Sequence, residues 1–194
     1  MKEAPAIEAD AAWEPPGGVL VWIIVFLEVL TFGAGIGVFL FQARDHAAEF
    51  QRGHELLNQP LAFINTLVLL TGGWCMANGV VALRCGLQAP ALRWVRLAIL
   101  TGLAFAVLKG IEYGEKARHG IGFADDAFFT QYFLLTGFHL MHVLVAVVLL
   151  FFMARGIQSG RYHSGDHENV EASGIFWHMC DLIWLLLYPV IYLL

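Results

Sequence analysis

This chain of 194 residues is 59% hydrophobic and has a mean hydropathy of +0.68. Soluble domains hold about 45–50% apolar residues, so the composition excludes an ordinary soluble protein and indicates a membrane protein. The net charge of -5 is spread over loops and an acidic N-terminus, which excludes the basic surface that nucleic-acid binding requires.

In chain order, residues 1–18 are rich in Ala, Glu and Pro and end at Pro15-Pro16-Gly17-Gly18. They lack the basic opening of a signal peptide and are expected to form a flexible tail. A membrane helix needs about 20 mostly apolar residues. Five segments meet that need: 19–42, 61–84, 94–113, 129–154 and 175–194. Continuous apolar runs of this length are helical, because a helix satisfies its own backbone polar groups in lipid. A membrane β-barrel would show short alternating strands, and none are present. The expected fold class is therefore all-α, a polytopic bundle of five transmembrane helices occupying residues 19–194. The spans leave no space for a separate soluble domain.

With five spans the termini lie on opposite sides. Lys2, Arg84, Arg93, Arg96, Arg155 and Arg161 share the N-terminal side, while Arg44, Arg52, Lys116 and Arg118 share the other. The basic excess predicts a cytoplasmic N-terminus. Gly33 and Gly37 form a GxxxG, and Gly102, Ala106 and Gly110 recur every four residues; both patterns predict close helix approach. No repeat relates the two halves, which argues against an inverted-repeat transporter. Cys75, Cys85 and Cys180 show no CxxC spacing and read as small apolar packing residues.

Ionisable side chains within the spans are costly and usually have a task. Glu28 falls near mid-bilayer and is either protonated or turned toward a polar partner. Lys109 and Glu112, three apart, can meet on one helix face; Glu112 can alternatively reach a His of another span. His139 and His142 sit mid-span, and His178 and Asp181 share the last span. A bis-His haem needs two imidazoles on opposite sides of the macrocycle. Two His spaced i,i+3 on one helix cannot supply them, so hydrogen bonding of His139, His142 and His178 to Glu112 or Asp181 is expected instead. His46, His54, His119, His163 and His167 read as loop residues; Gly165 argues against a helical metal pair at 163 and 167. Asp125 and Asp126 are expected to cap the fourth span. No phosphate loop, nucleophile elbow or HExxH is present, and no catalytic constellation is assembled.

Three stretches resemble subunit III of the haem–copper oxidase superfamily. The first is Glu28-Val29-Leu30-Thr31-Phe32-Gly33-Ala34-Gly35. The second is Gly137-Phe138-His139-Leu140-Met141-His142-Val143, similar to the family's G-F-H-x-x-H-V. The third runs from Trp177-His178 through Asp181 and Trp184 to Tyr188. Glu112-Tyr113 matches a Glu-aromatic pair between them. Two departures stand out: the two extra N-terminal helices of seven-helix members are missing, and Leu140 stands where Gly is frequent. The five-helix build and the ending Leu187-Tyr188-Pro189-Val190-Ile191-Tyr192-Leu193-Leu194 look most like the subunit-III-like proteins associated with bacterial nitric oxide reductase. Subunit III of an aerobic cytochrome c or quinol oxidase is the alternative.

The resemblance implies an accessory subunit of the bacterial inner membrane that binds no cofactor itself. It would pack beside a catalytic subunit carrying haem and iron or copper, associate with membrane lipids, and support assembly or sustained turnover. It implies a proton or lipid role for Glu28 as a membrane-buried carboxyl. It implies an interhelical polar network for Glu112, His139, His142, His178 and Asp181. A membrane cytochrome b and a proton channel built on Glu28 and the His cluster are the readings of other classes.

Overall fold

The computed structural model describes residues 15–123 and 125–194; the expected tail lies outside them up to residue 14. Six helices follow one another: α1 (Gly18–Asp45), α2 (Ala47–Glu55), α3 (Gln59–Arg84), α4 (Gln88–Arg118), α5 (Ala127–Gln158) and α6 (Glu168–Tyr192). All but α2 are long and apolar enough to cross a membrane. The protein is a multi-pass helical bundle. Three of these helices, α1, α4 and α5, run past the expected spans at both ends, and α3 and α6 begin before theirs, because polar residues continue the backbone ladder beyond the hydrocarbon.

The helix ends follow local chemistry. Asn58 caps α3 by accepting from the Leu61 amide at 3.1 Å, and Asp126 caps α5 by accepting from the Phe129 amide at 2.7 Å. Asp125 instead accepts from the Gly122 amide at 2.6 Å. The α3, α4 and α5 ends share one motif. A glycine in the left-handed region (Gly86, Gly120 or Gly160) lets the next amide bond back to Ala82, Lys116 or Gly156. Only a residue free of a Cβ penalty suits that position.

Helices α3 to α6 form a four-helix bundle, closed by the α3–α4, α4–α5, α5–α6 and α3–α6 pairings. Its core is aromatic and aliphatic, with Trp177, Trp184, Tyr132, Tyr192 and Phe105 fully buried. Trp177 fits a notch made by absent side chains: a Cβ on Gly102 would lie 2.7 Å from its ring and 2.6 Å from Val147. A Cβ on Gly72 would also meet that ring, at 2.7 Å. The stripe read from sequence is thus used at Gly102, whereas Gly110 has nothing within 4 Å.

Helix α1 packs outside the bundle against α5 and α6. It buries Val21, Phe32 and Phe39 and leaves most of its surface exposed. The expected close packing at Gly33 and Gly37 is not found within the chain: neither would meet an atom within 4 Å, and Gly35 takes that part against Leu135 at 2.6 Å.

Helix α2 was not legible in the sequence, because it is too short and polar to read as a span. It holds Phe50 against Phe39 and Phe128, at 5.0 and 5.4 Å between ring centroids. Its Glu49 accepts from the Ala127 amide at 3.1 Å, which holds this carboxyl below its ordinary value. A depressed folded-state pKa contributes stability above the unfolded value and loses it as pH falls through the folded one. Exchange protection of the Ala127 amide should therefore weaken as acidification protonates Glu49; protection independent of pH would contradict this anchor.

Gly102→Val should overpack the Trp177 notch, costing about 1–3 kcal/mol. Thermal unfolding in detergent should show a lowered midpoint for it and no loss for Gly110→Ala. Equal midpoints for Gly102→Val and the parent would remove the notch from the account.

Candidate functional site

The polar side chains of the spans gather at three places. The most buried lies between α4, α5 and α6. Lys109 and Glu112, one turn apart on α4, are 0% and 2% exposed and form an ion pair at 3.0 Å. Lys109 Nζ also donates to the Tyr192 hydroxyl at 2.7 Å and reaches the Tyr132 hydroxyl at 3.4 Å. Both hydroxyls in turn donate to Glu112 Oε1, at 2.8 and 2.9 Å. The rings of Tyr113, Tyr132, Trp184 and Tyr192 stand 5.1–5.4 Å from Nζ. Every polar atom of the pair is thus answered, and the aromatic faces add cation–π attraction. A buried pair of charges is tolerable only when so fully paired.

Near the middle of the bundle, Glu28 of α1 faces His142 of α5. Glu28 Oε2 and His142 Nε2 are 3.3 Å apart, though Oε2 has no well-aligned hydrogen bond. His142 Nδ1 lies 2.8 Å from the Phe138 carbonyl. A carbonyl only accepts, so Nδ1 carries a hydrogen and Nε2 of the neutral ring is an acceptor. The Glu28 side chain is partly exposed on the outer side of the bundle.

His139, one turn from His142, faces the core. It is 0% exposed and neither ring nitrogen has a hydrogen-bond partner. Its ring stacks on Trp184 at 5.1 Å and meets the edges of Phe105 and Phe32. Ligation of a haem by His139 would require displacing these rings.

The third place is on α6, where His178 Nδ1 and Asp181 Oδ2 approach to 3.3 Å. Asp181 is buried and packs on the backbone of α3 at Gly73, so its carboxyl fills the space that a side chain there would take.

Of the expected histidine partners one is found: His178 meets Asp181, within α6. His139 and His142 do not bond Glu112 or Asp181. Glu112 joins helices through Tyr132 and Tyr192, which the sequence reading passed over. Their signal was present: a phenol inside an apolar span needs a hydrogen-bond partner once buried. His54, read as a loop residue, belongs to α2 and reaches the Tyr192 carbonyl at 2.8 Å. His163 lies in the loop before α6, where it pairs with Asp166, and His167 contacts Glu171 at 2.9 Å. Among the described residues no group of three His, Cys, Asp or Glu side chains is placed to hold a metal ion.

The family model described as "Cytochrome c oxidase subunit III" matches residues 52–194. Over 195 residues the chain is 28% identical to "Cytochrome c oxidase subunit 3" of Corynebacterium diphtheriae, covering 98% of this chain and 95% of that one. It is 29% identical over 196 residues to the protein of the same name from Thermostichus vulcanus, covering 99% and 95%. It is 28% identical over 175 residues to "Probable cytochrome c oxidase subunit 3" of Mycobacterium leprae, covering 90% and 85%. These relatives have nearly this chain's length. The short build therefore does not by itself single out the nitric oxide reductase branch.

Lys109→Met should destabilise the bundle by about 3–5 kcal/mol, because it strands a buried carboxylate. Lys109→Met with Glu112→Gln should recover part of that loss. Unfolding in detergent measures both; a neutral Lys109→Met would show that the pair contributes nothing to stability.

Proposed function

The chain belongs to the cytochrome c oxidase subunit III family, and from that premise we propose that it is a non-catalytic accessory subunit of a haem–copper superfamily respiratory complex. The family match over residues 52–194 carries this reading. The geometry supports it, because the buried ionisable groups Lys109 and Glu112 spend their bonding capacity within the chain. Catalysis, haem and iron or copper are assigned to the partner subunit. Residues 19–194 act as one domain, preceded by a tail, in the bacterial inner membrane with a cytoplasmic N-terminus. The basic excess on that side supports this orientation.

For the partner we propose the catalytic subunit of nitric oxide reductase, in denitrification. The resemblance of the ending from Leu187 to Leu194 supports it. A second reading, subunit III of an aerobic oxidase, is favoured by the names and matching lengths of the relatives. Mass spectrometry of what co-purifies with a tagged copy from native membranes separates them. Recovery of a nitric oxide reductase catalytic subunit with its cytochrome c is the expected result. A copper-bearing oxidase subunit II would move the assignment to the aerobic branch, and recovery of the chain alone would overturn the subunit reading.

Within this role, Glu28 serves as the proton- or lipid-facing carboxyl. Glu112, His139, His142, His178 and Asp181 hold the helices. Glu28→Gln should insert and assemble normally and change how long the partner sustains turnover. An unchanged activity lifetime would remove Glu28 from the function. His178→Ala should lower accumulation in the membrane because it leaves the buried Asp181 carboxyl without its partner, and Asp181→Ala because it empties the space that carboxyl fills at Gly73; normal accumulation of both would count against their structural role.

A further inference from the structure

A groove between α4 and α5, away from α1, is lined by Arg96, Ile99, Leu100, Phe151, Arg155 and Gln158 and encloses about 370 Å³. We propose that it binds an anionic glycerophospholipid, with Arg96 and Arg155 taking the phosphate and the apolar part below them taking an acyl chain.

The groove has the amphipathic order of a lipid. Arg155 lies one turn from the end of α5 at Gln158, at the end of the bundle that carries the α3–α4 turn. Leu100 and Phe151 are each four residues further into the bundle from Arg96 and Arg155, about 6 Å deeper. Both are exposed and apolar. Two guanidinium groups thus stand over an open hydrocarbon slot.

Charge complementarity points to a phosphate. No acidic side chain lines the groove among the described residues, and neither Arg96 nor Arg155 has an ion-pair partner among them. By contrast, Arg84 at the same end is paired with Glu171. Arg96 is instead held by the Gln158 amide oxygen at 3.0 Å, and Arg155 lies 5.7 Å from the Phe151 ring centre. These contacts orient the two groups without neutralising them. Planar guanidinium forks suit phosphate oxygens, and basic pockets between membrane helices take anionic headgroups. An acidic protein segment would satisfy the arginines but would leave the Leu100–Phe151 slot open.

Native mass spectrometry tests the assignment on the full chain in detergent, offered equal amounts of phosphatidylglycerol and phosphatidylcholine. The parent should retain phosphatidylglycerol preferentially. Arg96→Gln with Arg155→Gln should weaken that retention about 30-fold, since each interfacial cation is worth roughly fivefold. Leu100→Trp should also reduce it by blocking the slot with both charges intact. Arg44→Gln with Arg118→Gln, at the opposite end, should leave it unchanged.

Several results would overturn the proposal. One is no preference between the two lipids. Others are equal loss in the opposite-end control, or full retention in Leu100→Trp. Displacement of the lipid by inorganic phosphate would reduce the site to a free-anion site. Loss of a co-purifying catalytic subunit in the Arg96/Arg155 variant, with lipid retention unchanged, would make the groove a protein interface.

Discussion

The rest of the bundle depends on a cation and a carboxylate placed out of reach of water. Lys109 and Glu112 can both stay charged in a membrane only if α4, α5 and α6 bring Tyr132, Tyr192 and Trp184 to one point. A shift of α5 or α6 by one turn would take the Tyr132 or Tyr192 hydroxyl away from the buried pair and leave its polar atoms incompletely answered. Apolar packing in lipid has no comparable directionality, since lipid tails compete equally for Leu and Val. The cluster therefore sets register, and the Trp177 notch at Gly72 and Gly102 sets how closely α3 and α4 approach α6.

With register fixed, the remaining polar groups have different freedoms. Asp181 is locked against the α3 backbone at Gly73, and His139 is enclosed by rings. Glu28 and His142 differ: their contact bridges the peripheral helix α1 to the bundle. A subunit that supports a partner rather than performing chemistry needs a rigid body and an accessible outer face. The deep cluster provides the first, and α1, with its exposed Gly33 and Gly37, provides the second.

Much of this was legible in sequence because membrane insertion limits the choices. The five spans follow from apolar run length alone, and the Asp126 cap and the Lys109–Glu112 pairing follow from helix spacing. Other features depend on which helices become neighbours, which spacing does not encode. The choice of Tyr132 and Tyr192 as partners of Glu112, and of Glu28 as the neighbour of His142, is of this kind. Helix α2 escaped because nine residues with Glu49, Arg52 and His54 carry no span-like signal; its place is set by Phe50 against Phe39 and Phe128. The GxxxG of α1 was a true pattern with no use inside the chain, since small residues show only where close approach is permitted.

The proposed role is to sustain a respiratory complex without taking part in its chemistry. The most direct measurement compares the partner enzyme purified with and without this subunit, following both initial rate and activity over repeated turnover. Equal initial rates and unchanged haem absorbance are expected, with faster loss of activity or poorer recovery of the complex when the subunit is missing. An initial rate abolished in an otherwise intact complex, or a haem signal that leaves with this chain, would contradict it.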